Sequence, residues 1–214
     1  MKLYSYWRSS AAYRVRIALA IKGIPFEYVP VSLVANGGMH LEAEYEARNP
    51  QKLVPLLELD DGRYISQSLA IIEYLDEVTP HPPLLPKDAE LRAQARSIAL
   101  AVACDIHPLA NLRVMNYLKD TLQIADSART AWYHHWITEG FAAIEKLLKR
   151  YDTPYALGDS PTLADIALVP QVYNARRFSI PLENFPRITS IAESCSKLDS
   201  FRTAEPERQP DAIG

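Results

Sequence analysis

The chain has 214 residues, with 23 Lys and Arg against 26 Asp and Glu and a formal net charge of -3. That length allows one large or two small domains able to bury a core without disulfides or metals as staples. The slight acidity argues against nucleic acid as a partner, because phosphate binding needs a basic surface; an acidic small molecule would need a local cluster of cations.

Lys2-Leu3-Tyr4-Ser5-Tyr6 alternates with the period of a strand, while Val15, Ala18 and Leu19 recur at helical spacing. A strand therefore feeds a helix directly across Trp7-Arg8-Ser9-Ser10-Ala11-Ala12-Tyr13-Arg14, and Ser9 or Ser10 is the N-cap. The first turn of such a helix carries unpaired backbone N–H groups and a partial positive charge, which suit a thiolate or a carboxylate. Arg8 outside the helix and Arg14 one turn inside it add two guanidiniums to that end, an arrangement that repels itself unless an anion joins it. Gly23-Ile24-Pro25 stops the helix, and Phe26 to Val31 reads as a second, parallel strand. Asn36-Gly37-Gly38 is a loop, and weak helical character from Leu41 to Arg48 ends at Asn49-Pro50. Leu53 to Leu59 and Tyr64-Ile65-Ser66 flank the turn cluster Asp60-Asp61-Gly62-Arg63 as a hairpin. Gln67-Ser68 then opens a helix reaching Val78, a second N-terminus suited to a carboxylate, although capping alone would also explain Ser68. This order of elements is that of a thioredoxin-like α/β domain over residues 1–83, followed by a stiff linker of prolines at 80, 82, 83 and 86.

From residue 88 to 214 the pattern is helical throughout, in segments near Asp88–Leu118, Ser127–Arg150, Thr162–Phe178, Phe185–Lys197 and Leu198–Thr203, which predicts an all-α second domain. The longest apolar run, Ile98 to Cys104, is far short of the ~20 residues that span a bilayer, and the N-terminus has no apolar leader, so a cytoplasmic protein away from membranes is expected. Cys104 and Cys195 have neither CxxC nor metal-ligand spacing and read as buried, inert thiols. His107, Asn111 and Arg113 fall within two turns, the first two on one helical face. His134-His135, adjacent on a helix, diverge and have no third ligand, so no metal site is expected. Thr162-Leu163-Ala164-Asp165 has capping-box spacing and reads as structural. Arg176-Arg177 is either a solvated charge pair or a binder of carboxylate.

The Trp7–Leu19 stretch resembles the signature of the zeta-class glutathione transferases, the maleylacetoacetate isomerase family, which reads Ser-Ser-Cys-x-Trp-Arg-Val-Arg-Ile-Ala-Leu; Ala11 stands at the family's cysteine and Tyr13 at its tryptophan. The likeness runs from Lys2 to Arg208-Gln209-Pro210-Asp211. It implies the two-domain cytosolic glutathione transferase fold, a homodimer, glutathione as coenzyme, and isomerisation of a cis keto diacid. The first such substrate is maleylacetoacetate, converted to fumarylacetoacetate in tyrosine and phenylalanine catabolism. Maleylpyruvate isomerase, a general conjugating transferase and a glutathione-binding protein without turnover are the alternatives. By the same resemblance Ser9 bonds the glutathione sulfur, Ser10 and Ala11 belong to the same helix start, and Arg14 helps to lower the thiol pKa. Val54, ahead of a cis Pro55, pairs with the cysteinyl backbone; Gln67 and Ser68 grip the γ-glutamyl end, and His40 meets the glycyl end. His107, Asn111 and Arg113 line the glutathione site, as the family's Gln-Pro-Leu-Gln-Asn-Leu stretch does, and make it cationic enough to favour a dianion. Arg8 and Arg177 hold substrate carboxylates. Ala11 leaves the isomerisation intact, since glutathione brings its own sulfur, but removes any resolution of a mixed disulfide by a protein thiol.

Overall fold

Four short strands, β1 (Lys2–Ser5), β2 (Glu27–Pro30), β3 (Leu56–Glu58) and β4 (Tyr64–Ser66), form one mixed sheet in the order β2-β1-β3-β4. The β1–β2 pair is parallel and the other two pairs are antiparallel, with Tyr4 set opposite Val29 on one side and Leu56 on the other. Helix α1 (Ser10–Lys22) supplies the crossover between β1 and β2, α2 (Ala43–Arg48) follows two 3-10 turns, and α3 (Ser68–Val78) follows β4 and packs on α1. This computed structural model describes residues 1–212, and its first unit has the expected thioredoxin-like arrangement. The Val54–Pro55 peptide is cis, as the resemblance implied, and His81–Pro82 is a second cis bond.

The chain divides into two compact units, Met1–Leu84 together with the chain from Ser196 onward, and Leu85–Cys195. The division expected from the sequence, 1–83 and 88–214, put the tail with the helices; instead α9 (Asp199–Thr203) packs against α1. The reason is the buried Arg16 of α1, whose Nε donates to the Ala204 carbonyl at 3.0 Å, a partner that no local pattern predicts.

Within the first unit, the buried Lys22 ammonium donates to the Asp76 carboxylate and to the Thr79 and Pro82 carbonyls, and Asp76 also accepts from the Leu84 N–H at 2.8 Å. One cation thus fixes the proline-rich exit of the unit. Lys22→Met should cost about 3 kcal/mol, the low end for a buried pair left with one partner, read as a lower urea midpoint with an unchanged m-value.

In the second unit α4 (Ala89–Leu100) packs on α7 (Leu163–Arg177), with α5 (Leu112–Asn116), α6 (Asp126–Leu148) and α8 (Pro186–Ser196) completing the bundle. The expected single helix from Asp88 to Leu118 is not continuous. It widens to π geometry over Ala101–Ile106, tightens to a 3-10 turn at His107–Ala110 and restarts at Asn111, whose ψ of 149° is extended and whose side chain caps α5. Length and hydropathy alone would let an 18-residue window within Ala89–Thr121 cross a membrane, at mean hydropathy 1.3, which the run-length reading overlooked; the break at Asn111 interrupts that stretch. Gly140 is required where α6 meets the widened turn, since a Cβ there would lie 2.3 Å from Ile106 Cγ1 and Cδ1. Cys195 is buried, and burial pushes its thiol up. Cys104, in the widened turn, is exposed, against expectation.

Two carboxylates organise helix starts in this unit. Asp165 and Thr162 form the expected capping box at α7, and Asp165 reaches further, accepting from the Ala156 N–H at 2.8 Å. Glu145, in the last turn of α6, turns its carboxylate onto the first turn of α8, accepting from the Arg187 and Ile188 N–H groups at 3.0 Å each. An acid there satisfies two orphan amides and the helix dipole together.

Candidate active site

The first candidate locus is the β1–α1 junction. Ser9, not Ser10, is the N-cap: its φ and ψ of -71° and 115° are extended, and its Oγ accepts from the Ala12 N–H at 3.2 Å. A hydroxyl has one donor and two acceptor lone pairs. Capping uses a lone pair and leaves the O–H to donate to an anion, so the cap and the anion contact are compatible roles. Ser10 occupies the first helical position and is buried, and Ala11 follows it with only a methyl to offer. Arg8 is exposed, its Nη2 donating to the Tyr6 hydroxyl at 3.2 Å and its guanidinium carbon 4.6 Å from the centroid of the Trp7 ring. A phenol and an indole therefore hold this cation in place.

Arg14 is placed differently from the sequence reading. It is 1% exposed and turned inward, and its Nη1 donates to Ser68 Oγ at 3.2 Å. It is a buried tie between α1 and the start of α3. Ser68 is correspondingly not the cap of α3. Gln67 holds that position with no side-chain capping bond and a left-handed φ of 72°, a conformation that costs a non-glycine residue roughly 1–3 kcal/mol and clusters at ligand sites. The exposed Gln67 amide donates to Gln51 Oε1 at 2.9 Å, a partner the sequence reading missed because Gln51 sits in an unpatterned loop.

Val54 enters β3 from a segment fixed at the Leu53 carbonyl, which accepts from the Tyr45 hydroxyl at 2.7 Å and Asn49 Nδ2 at 2.8 Å; its side chain joins a core cluster with Tyr4, Tyr6, Val31, Tyr45 and Leu56. His40 lies in the 3-10 turn Met39–Leu41, and its Nδ1 is buried with no protein partner. Gly38, at φ 108°, makes the cradle: a Cβ there would come within 2.5 Å of the imidazole. Burial holds His40 below the usual histidine range, against the Ser32 backbone bond that raises it. It is thus a neutral hydrogen-bonding group at neutral pH rather than a charge.

The second locus lies in the helical unit. His107 and Asn111 do come together, Nε2 and Nδ2 being 3.4 Å apart, but across the 3-10 turn rather than on a continuous helical face. Asn111 Oδ1 is committed to capping, accepting from the Arg113 N–H at 3.2 Å, and Arg113 itself is exposed. At the end of α7, Arg177 stands 4.6 Å from the Phe178 ring centroid, and Phe178 stacks on the buried Tyr133 ring at 4.0 Å. The Tyr133 hydroxyl accepts from Asn174 Nδ2 and meets the Arg177 guanidinium. Burial pushes that phenol up to about 12, with Arg177 and Asn174 opposing it. Tyr133 and Asn174 were not singled out by the sequence because both sit among core residues of α6 and α7. His134 bonds the Phe178 carbonyl at 3.0 Å, while His135 packs against Trp136; among the described residues no three His, Cys, Asp or Glu side chains gather as metal ligands.

Residues 8–78 match the glutathione S-transferase N-terminal domain family, and residues 130–189 match its C-terminal domain family. A thioredoxin-like unit with a serine-capped first helix, joined to a helical bundle, is thus a glutathione transferase fold. Maleylacetoacetate isomerase of Pseudomonas aeruginosa is 46% identical over 99% of this chain and 98% of its own. A holo structure of maleylpyruvate isomerase, described as a bacterial zeta-class glutathione transferase, superposes with a TM-score of 0.95 at 46% identity over 100% of both chains. Maleylacetoacetate isomerase from Anaeromyxobacter dehalogenans, with dicarboxyethyl glutathione and citrate in its active site, gives 0.87 at 40% identity, covering 100% of this chain and 97% of that one. The chain belongs to the zeta class of glutathione transferases, the maleylacetoacetate isomerase family, and is a glutathione-dependent isomerase of that class.

Proposed function

We propose that this isomerase converts maleylacetoacetate to fumarylacetoacetate. The observation that carries a dianionic keto acid as substrate is the pair of arginines, Arg8 and Arg177, each set against an aromatic ring and a phenol within its own unit. A guanidinium already fixed in direction loses little freedom on taking a carboxylate in two-point contact. The citrate and the dicarboxyethyl adduct named with the A. dehalogenans enzyme support the same substrate class.

The donor set fits glutathione. Ser9 offers its O–H at a helix start, Gln67 and Ser68 offer a second start, and the buried Nδ1 of His40 is a polar atom that the protein itself does not satisfy. When bound, glutathione supplies the sulfur nucleophile that adds to the activated double bond, permits rotation and leaves again. Ser9 holds that sulfur by its hydroxyl among the amides of the first turn of α1, which favours the deprotonated form over the ordinary thiol pKa of ~8.5. Arg14 adds positive potential from below and aligns Ser68 for the γ-glutamyl carboxylate, while the Val54 backbone faces the cysteinyl unit. His107, Asn111 and Arg113 complete the glutathione lining. Arg8 and Arg177 grip the substrate carboxylates and offset the enolate charge that develops on addition. The working unit is a cytoplasmic homodimer; light scattering checks its mass.

Maleylpyruvate is the second reading, favoured by the 0.95 superposition on a maleylpyruvate isomerase and by the cation that Arg113 adds to the helical unit beside His107 and Asn111. The test is to mix the protein with each cis keto diacid, with and without a catalytic amount of glutathione, and follow the trans product. Faster turnover of maleylacetoacetate with glutathione recovered intact is expected. Preference for maleylpyruvate selects the second reading. Turnover of neither, followed by conjugation of a chlorinated aromatic acceptor, or by binding alone, overturns both.

A further inference from the structure

The turn that presents Arg8 and Ser9 is held by the far end of the chain. Ser9 N–H closes the turn on the Tyr6 carbonyl at 2.9 Å. Between them, both backbone polar groups of Trp7 are taken: its N–H donates to Asp211 Oδ2 at 3.1 Å, and its carbonyl accepts from Arg16 Nη2 at 3.0 Å. Arg16 is buried and also donates to the Ser5 hydroxyl, the Tyr6 carbonyl and the Ala204 carbonyl. Asp211 in turn is fixed by the Tyr28 hydroxyl of β2, which donates to its Oδ1 at 2.6 Å. The tail between is wound tightly: Gln209 Nε2 donates to the Thr203 and Glu205 carbonyls at 3.0 and 2.8 Å, and residues Pro206–Arg208 make a 3-10 turn. All of these residues belong to the first unit.

We propose that Asp211 is a positioning residue for glutathione activation, setting the Tyr6–Ser9 turn so that the Ser9 hydroxyl meets the sulfur at the helix start. The proposal rests on the reading of Ser9 given above. It makes the tail part of the catalytic unit rather than a trailing segment. Position and charge predict opposite signs. Asp211 is an anion in the same unit as the sulfur site, so if it acted only as a charge its removal would favour the thiolate. If it acts by holding the turn, its removal costs thiolate.

The experiment compares wild type, Asp211→Ala, Asp211→Asn and Tyr28→Phe. Glutathione affinity is read by calorimetry, the bound thiol by ultraviolet absorbance against pH, and the turn by amide exchange at Trp7 and Ser9. Asp211→Ala is expected to weaken glutathione binding about five- to tenfold, the scale of one or two lost hydrogen bonds, to raise the bound thiol pKa, and to speed exchange at Trp7 and Ser9. Asp211→Asn keeps an acceptor oxygen and should recover most of the loss, and Tyr28→Phe should fall between. Unchanged affinity and exchange in Asp211→Ala overturn the proposal. So does a lower thiol pKa in both Asp211 variants, which would make the carboxylate a charge and nothing more. If Asp211→Ala proves too unstable by urea titration, Tyr28→Phe decides alone: slower or unchanged exchange at Trp7 overturns the proposal. Failure of the Ser9 reading looks different, because wild-type bound glutathione would then titrate like the free thiol; affinity and exchange still judge Asp211.

Discussion

Ser9→Ala is expected to lower turnover by about 10²-fold or more, the scale of losing one donor aimed at charge in the transition state. The substitution removes two functions, since Ser9 Oγ both caps α1 through the Ala12 N–H and carries the O–H offered to sulfur. Loss of the cap alone should cost about 1 kcal/mol of stability, visible as a lower urea midpoint but too small to account for such a rate. Ser9→Asp separates the two. Aspartate caps a helix as well as serine does, so the midpoint should recover, yet it places an anion beside the sulfur and should leave the bound thiol protonated and turnover low. Bound glutathione in wild type should absorb as thiolate near neutral pH, and in Ser9→Ala its pKa should return toward ~8.5. A change in turnover within twofold for Ser9→Ala would move the role to Ser10.

Asp165→Ala should destabilise the protein by about 3–5 kcal/mol, since each buried donor left unpaired costs ~1–3 kcal/mol, and a domain of this kind has only ~5–15 in all. The side chain is 0% exposed and its two oxygens serve different segments: Oδ1 takes the Ala156 N–H, while Oδ2 takes the Thr162 N–H and hydroxyl. Burial pushes this carboxyl up, and the three donors pull it down. Asp165→Asn keeps one acceptor oxygen and turns an N–H₂ toward the other donors, so it should lie between wild type and alanine. Urea titrations of the three proteins check the order. A stable Asp165→Ala protein without activity would contradict the structural role.

The parts of this molecule legible in its sequence are those whose physics is local. The strand-to-helix switch at Trp7–Ser10, the hairpin around Asp60–Arg63 and the capping box at Thr162 each depend on partners within a few residues, and each stands where expected. Long-range pairs were opaque. Glu145 carries no local sign of its place over the start of α8, and Arg14 and Arg16, one to two turns along α1 from the expected anion site, both point into the core. The break at Asn111 did have a signal, Pro108 followed by an asparagine cap, which the apolar periodicity on either side concealed. Among the candidate site residues, Ser9 and Gln67 were marked by element starts and Val54 by the family resemblance alone; Gln51, Tyr133 and Asn174, like the proposed positioning residue Asp211, lacked such a mark and emerged only from their partners.

The tie between the tail and the first turn also bears on how the protein is made. The bonds from Asp211 to Trp7 and to Tyr28 span 204 and 183 positions, and that from Arg16 to Ala204 spans 188. Contacts so distant along the chain form late and slow a fold. During synthesis the sheet and α1 leave the ribosome with the Trp7 amide and the Arg16 guanidinium still waiting for partners, and the whole helical bundle must be translated before those partners arrive. A nascent chain halted after residue 84 would lack all three bonds, so the competence to bind glutathione should be acquired only once residues 204–211 have been made rather than when the sheet first emerges.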